Sequence, residues 1–107
     1  GLNPEQENVI KDKLNSFFVR WLAGDKAGAP LYMVNQKRVR TEDILGNLNV
    51  EYKGVSEIFF LSNKQPIKVK ATIVLIDKQY GIQMHLEYII TLQQKGNDFL
   101  IHSIQGV

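Results

Sequence analysis

Apolar residues near the start of the chain recur at helical spacing: Val9, Ile10, Leu14, Phe17, Phe18, Trp21 and Leu22 define one stripe of a helix from Pro4 to about Ala23. From Ile67 onward the period changes to two. Ile67, Val69, Ala71, Ile73 and Leu75 form one face of a strand, and Lys68, Lys70, Thr72, Val74 and Ile76 form the other. The turn Asp77–Gly81 leads into the most regular strand. Its even positions, Ile82, Met84, Leu86, Tyr88, Ile90 and Leu92, are all apolar and are expected to meet the helix; Gln83, His85, Glu87, Ile89, Thr91 and Gln93 face away. After Lys95–Asp98 comes a last strand, Phe99 to Ile104, for which either Phe99 and Ile101 or Leu100, His102 and Ile104 point inward, depending on register.

The helix has its own signals. Asn3 stands as N-cap, Pro4 opens the first turn, Glu5 and Glu7 lie near its positive end, and Gly24 stops it. Residues 25–46 are irregular: Asp25 is placed to cap a short turn leading to Leu31, Tyr32 and Met33, and Thr41–Ile44 can nucleate another. Strands are expected from around Leu48, with Gly54 marking a β-bulge because Val50, Tyr52 and Val55 are spaced two and then three apart. Ile58, Phe59, Phe60 and Leu61 do not alternate in polarity, which predicts a segment covered on both faces. One helix followed by strands alone gives an α+β domain, the helix lying across a curved antiparallel sheet.

The 107 residues suffice for one domain, 1–107, with a core of its own. Hydrophobic residues at 44% and charged residues at 22% are ordinary for a globular protein. Thirteen basic against eleven acidic side chains leave a net charge of +2, too weak a field to argue for nucleic-acid binding. The absence of cysteine excludes disulfides and thiolate chemistry. No apolar run approaches the ~20 residues that span a bilayer. The chain opens on Gly without a signal-peptide pattern, and it is expected to be an excised soluble piece of a longer, membrane-anchored protein.

Candidate chemistry is sparse. His85 and Glu87 share one strand face and could form an acid/base pair, but no nucleophile stands beside them and the pair reads as a solvated strand surface. His102 enters the interior in one of its two registers. Tyr32 and Tyr88 are core polar groups expected to bond to backbone or water. Lys37, Arg38 and Arg40 form the densest basic cluster, with no interleaved aromatic platform for nucleic acid, and Lys68 and Lys70 are read as guarding a sheet edge. No catalytic residue, metal ligand or cofactor is assigned. The outward aliphatics Val74, Ile76 and Ile89 are the candidate partner-binding site: singly exposed aliphatics are ordinary, but together on an uncovered sheet face they suggest self-association or a partner.

The segment FFVRWLAGD that closes the helix and the terminal hairpin LEYIITLQQKGNDFLIHSIQ resemble the cone-shaped nuclear transport factor 2 superfamily. Within it, Gly24 and Asp25 at the helix end and the Gly96–Phe99 step of the hairpin are most similar to the TcpC-like transfer proteins of Gram-positive conjugative plasmids and transposons, although Phe99 stands where Trp is frequent. The resemblance implies a noncatalytic assembly domain of a type IV secretion channel. It implies as partners the other channel proteins, with a homo-oligomer in prospect, and a location on the extracytoplasmic side of the membrane, attached only through a parent anchor. The rival expectation is a ligand-binding or isomerase/dehydratase-like enzyme of the same superfamily. Such enzymes place an Asp or His and a Tyr inside the cone, and the two clearest strands offer Tyr88 but no inward carboxylate.

Overall fold

Asn3 starts the first element as its sequence context predicts. Its side-chain oxygen accepts from the Gln6 backbone N–H at 2.8 Å, and the Gln6 side chain accepts from the Asn3 N–H at 3.0 Å, closing a capping box. Helix α1 (Pro4–Leu22) then runs for 19 residues, about 28 Å at 1.5 Å per residue. At its end Gly24 takes φ +72°, a left-handed conformation that costs a glycine little. The Gly24 N–H donates to the Trp21 carbonyl and the Asp25 N–H to that of Arg20, so the last turn is closed by a Schellman motif. Asp25 caps the following turn, its carboxylate accepting from Ala27 and Gly28. A Cβ on Gly28 would crowd that carboxylate and the Arg20 side chain, so a larger residue there would have to displace the cap.

The computed structural model describes residues 1–46 and 49–107; the expected strand start at Leu48 lies outside them. Four strands follow the helix: β1 (Val50–Ser62), β2 (Ile67–Asp77), β3 (Ile82–Lys95) and β4 (Asp98–Gly106). They form one antiparallel sheet in chain order. β2 and β3 pair without a register shift from Ile67–Leu92 to Asp77–Ile82, as two uninterrupted period-two patterns require. β1 shifts register three times, including the expected bulge at Gly54. The α1 stripe Ile10, Leu14, Phe17, Phe18, Trp21 and Leu22 is buried against Ile67, Val69, Ala71, Ile73, Tyr88, Ile90, Leu92, Phe99 and Ile101, which makes one core between helix and sheet.

Four sequence expectations change. The even face of β3 packs on the core from Met84 to Leu92, Met84 and Leu86 only half-buried, but Ile82 is 56% exposed and does not reach it. Ile58–Leu61 does alternate, with Ile58 and Phe60 turned to the core while Phe59 and Leu61 are 55% and 50% exposed. β2 is paired on both sides, so Lys68 and Lys70 guard no edge. β4 adopts neither register alone: Phe99 and Ile101 are buried, a shift opposite Thr91 and Leu92 leaves His102 unpaired in a bulge, and Ile104 then also packs on the core.

Lys13 of α1 ties the β3–β4 turn to the helix by pairing with Asp98 and donating to the Phe99 carbonyl at 3.1 Å. The Lys13 hydrogen bond, with a second from the Phe99 N–H, holds the Asp98 carboxyl below its usual range. A depressed carboxylate contributes stability above its unfolded pKa that is lost as pH falls through the folded one. Asp98→Asn should therefore flatten part of the acid limb below about pH 4 while changing neutral stability by less than ~1 kcal/mol, since the Asp98 side chain is 58% exposed and its charge is screened by water. Acid titrations of both proteins followed by circular dichroism check this, and superimposable curves would reject it.

Candidate interaction face and the cleft at the mouth of the cone

The sheet face turned away from α1 carries Val74, Ile76 and Ile89 together, each half-buried. Register spaces them, however. Val74 stands opposite His85 and Gly54, and Ile76 opposite Gln83 and Glu51, whereas Ile89 lies between Lys70 and Gln105. His85 and Ile89 are four positions apart on β3, about 13 Å, with the Thr72–Glu87 pair in between. In the same cross-strand row as Ile89, on the far side of Lys70, stands the exposed Phe59. Sequence reading missed Phe59 because it took the segment as covered on both faces; the first strand of a meander is an edge, and that was the available signal.

His85 and Glu87 both lie on this outer face and are exposed. The His85 ring nitrogen Nε2 lies 2.9 Å from the Gln83 amide, and no bond joins it to Glu87. Among the described residues no cluster of metal-ligating side chains is present. Of the basic cluster, Lys37 is fixed at its backbone by the Asn35 side chain and Arg40 is exposed, while the Arg38 side chain lies outside the described residues.

At the open end of the cone is a cleft of about 710 Å³ between β4 and the segment 39–42. Trp21, Tyr88 and Ile104 supply apolar lining, and Arg40, Glu42 and His102 supply its polar groups. The segment is held down by backbone bonds: the Trp21 indole N–H donates to the Arg40 carbonyl at 2.5 Å, the Glu42 N–H to that of Trp21 at 3.0 Å, and the Leu45 N–H to that of Leu22 at 3.1 Å. Burial, aided by the Glu42 charge, raises the Tyr88 pKa, so its hydroxyl stays protonated at neutral pH. A carboxylate thus does reach the mouth of the cone, from a loop and not from the strands where sequence reasoning looked. Tyr32 sits outside the cleft, its hydroxyl accepting from Arg20 at 2.7 Å.

A solved structure described as an "Ntf2 like protein involved in plasmid conjugation" superimposes with a TM-score of 0.78 over 100% of this chain, at 11% identity. The fold is nuclear transport factor 2-like. One helix over a curved four-stranded sheet is how this chain builds that cone, as its helix end and hairpin suggested. The chain spans 41% of that neighbour, less than half its length. No family model and no curated protein matches the chain. A nuclear transport factor 2-like cone hosts enzymes and binding domains alike, so function rests on the face and the cleft.

Proposed function

We propose that this chain is a noncatalytic assembly domain of a conjugative DNA transfer apparatus of the type IV secretion kind, acting by protein contacts. The observation that carries the reading is a whole-length fold likeness to a protein involved in plasmid conjugation. The resemblance of its helix end and last hairpin to TcpC-like proteins of Gram-positive elements agrees with it. In this reading the domain belongs to a larger anchored protein, lies on the extracytoplasmic side of the membrane, and meets other channel proteins through the outer sheet face around Val74, Ile76 and Ile89.

Ile89→Glu tests it. The new carboxylate stands opposite Lys70, which compensates it in the free domain, whereas under a partner it must be desolvated, at a cost of several kcal/mol. The thermal midpoint should stay within about 5 °C, while DNA transfer by the full-length protein falls by orders of magnitude. Normal transfer by a folded variant would remove the face from the function.

A second reading draws on the cleft, where Tyr88, His102 and Glu42 converge as in a small-ligand site. It requires that His102→Ala and Glu42→Gln abolish transfer in folded protein; the assembly reading expects both to transfer normally.

A further inference from the structure

β4 is an edge strand, and the chain covers only the beginning of that edge. Met33 lies beside Ile101 in a parallel bridge, and the Val34 N–H donates to the Ile101 carbonyl at 2.9 Å. The chain then leaves through the short turn that Asn35 caps, and beyond His102 the edge runs along the cleft with no strand outside it.

Pairing with β3 decides which backbone groups are left over. The Val107 N–H donates to the Glu87 carbonyl, so in the alternation of an antiparallel ladder Gln105 and Ser103 exchange hydrogen bonds with Ile89 and Thr91, while Ile104 and Gly106 are the non-bonded positions. The N–H and C=O groups of Ile104 and Gly106 therefore point to the free edge, where they meet no main-chain partner among the described residues. The opposite edge, β1, is a poorer template, because three register shifts break it. The stretch Ser103–Gly106 has none, and beside it lies the apolar floor of Trp21 and Tyr88. Across the cleft Arg40 and Glu42 stand two residues apart, and neither forms an ion pair within the chain among the described residues.

An extended peptide meets these demands together. Its main chain offers C=O and N–H groups toward one side at every second residue, about 7 Å apart, which is the spacing of Ile104 and Gly106. Its side chains alternate, so an apolar residue turned to the Trp21 and Tyr88 floor leaves its two neighbours at the rim, where a carboxylate answers Arg40 and an ammonium answers Glu42. A compact molecule can fill the floor but does not repeat the backbone pattern.

We infer that the free edge of β4 at the mouth of the cone binds an extended peptide from another protein, which pairs with Ile104 and Gly106 as a further strand and carries an acidic and a basic residue on either side of an apolar one. This contact surface is separate from the outer sheet face. Complementarity favours the occupant: the rim presents a charge pair and the edge a donor and acceptor row that a strand matches, and the Met33–Val34 step already uses the same edge in this way.

The probe is the blocked heptapeptide acetyl-Thr-Val-Glu-Val-Lys-Val-Thr-amide, titrated to millimolar concentration into the purified 107-residue chain and followed by amide and indole chemical shifts. Saturable shifts are expected at the Ile104 and Gly106 amides and at the Trp21 indole. Gly106→Pro removes an edge donor and leaves the bonds to β3 in place, because Gly106 is a non-bonded position there. It should weaken binding at least about tenfold while the thermal midpoint stays within about 5 °C. N-methylation of the probe's valines should abolish binding to the wild type, and this decides the matter if Gly106→Pro does not fold. Arg40→Glu should weaken binding several-fold, and that variant should prefer a probe with Lys in place of its Glu. A wild type without saturable shifts overturns the inference. So does binding indifferent to Gly106→Pro and to N-methylation, which would make the cleft a site for a compact ligand. Shifts of the same amides on diluting the chain without peptide would give the edge to a second copy and overturn it too.

Discussion

Ile90→Ala is expected to lower the unfolding free energy by about 2–5 kcal/mol, because Ile90 is fully buried between α1 and the sheet and its truncation leaves a cavity that close packing cannot fill. Gln83→Ala, on the exposed face of the same strand, should stay within about 0.5 kcal/mol of the wild type. Leu86→Ala should fall between them, since Leu86 shares the inward face of Ile90 but is only half-buried. Urea denaturation of the three variants, with slopes compared as well as midpoints, checks the order. Equal losses at Ile90 and Gln83 would mean that the inward and outward faces of β3 have been exchanged.

Phe18→Ala should be costlier still, about 3–5 kcal/mol. Its ring lies 5.4 Å from Phe17, 6.1 Å from Trp21 and 5.6 Å from Tyr88, two of the contacts being edge-on, so the loss combines buried area with aromatic geometry. Val19, the next residue, is 45% exposed, and Val19→Ala should leave stability within about 0.5 kcal/mol. Because Trp21 and Tyr88 line the cleft, Phe18→Ala should also alter the near-ultraviolet dichroism of the native state. A variant with an unchanged midpoint and spectrum would show that this aromatic cluster does not anchor the helix.

The parts of this molecule legible in its sequence are those fixed by local chemistry. Asn3, Pro4 and Gly24 bound α1 because capping and positive φ are properties of single residues. β2 and β3 kept their register because two unbroken period-two patterns and a short turn leave no room for slip. Where a bulge changes the parity of a strand, the pattern loses its meaning. β1 has three such shifts, so Phe59 and Leu61 could not be assigned to the outer face from polarity. The bulge at His102 has no glycine to announce it. Glu42 reached the cleft through backbone bonds to Trp21, which no periodicity encodes. The outer face itself was foreseen through Val74, Ile76 and Ile89, but their separation, and the polar pairs between them, depend on cross-strand partners and so required the sheet.

Strand order equal to chain order bears on how the molecule is made. Each strand pairing joins neighbours across a turn of two to four residues, and the entropy of closing such short loops is small. The meander can therefore zip hairpin by hairpin, with no early step waiting for distant segments to meet. α1 is the exception. Its contacts with Phe99 and Ile101, and the Lys13–Asp98 pair, span most of the chain, so docking the helix on the finished sheet is the step of highest contact order and should set the folding rate. Truncations in the β2–β3 hairpin should then act mainly on the folding limb, because the hairpin is complete when the helix docks, whereas those in α1 should split their effect between the folding and unfolding limbs.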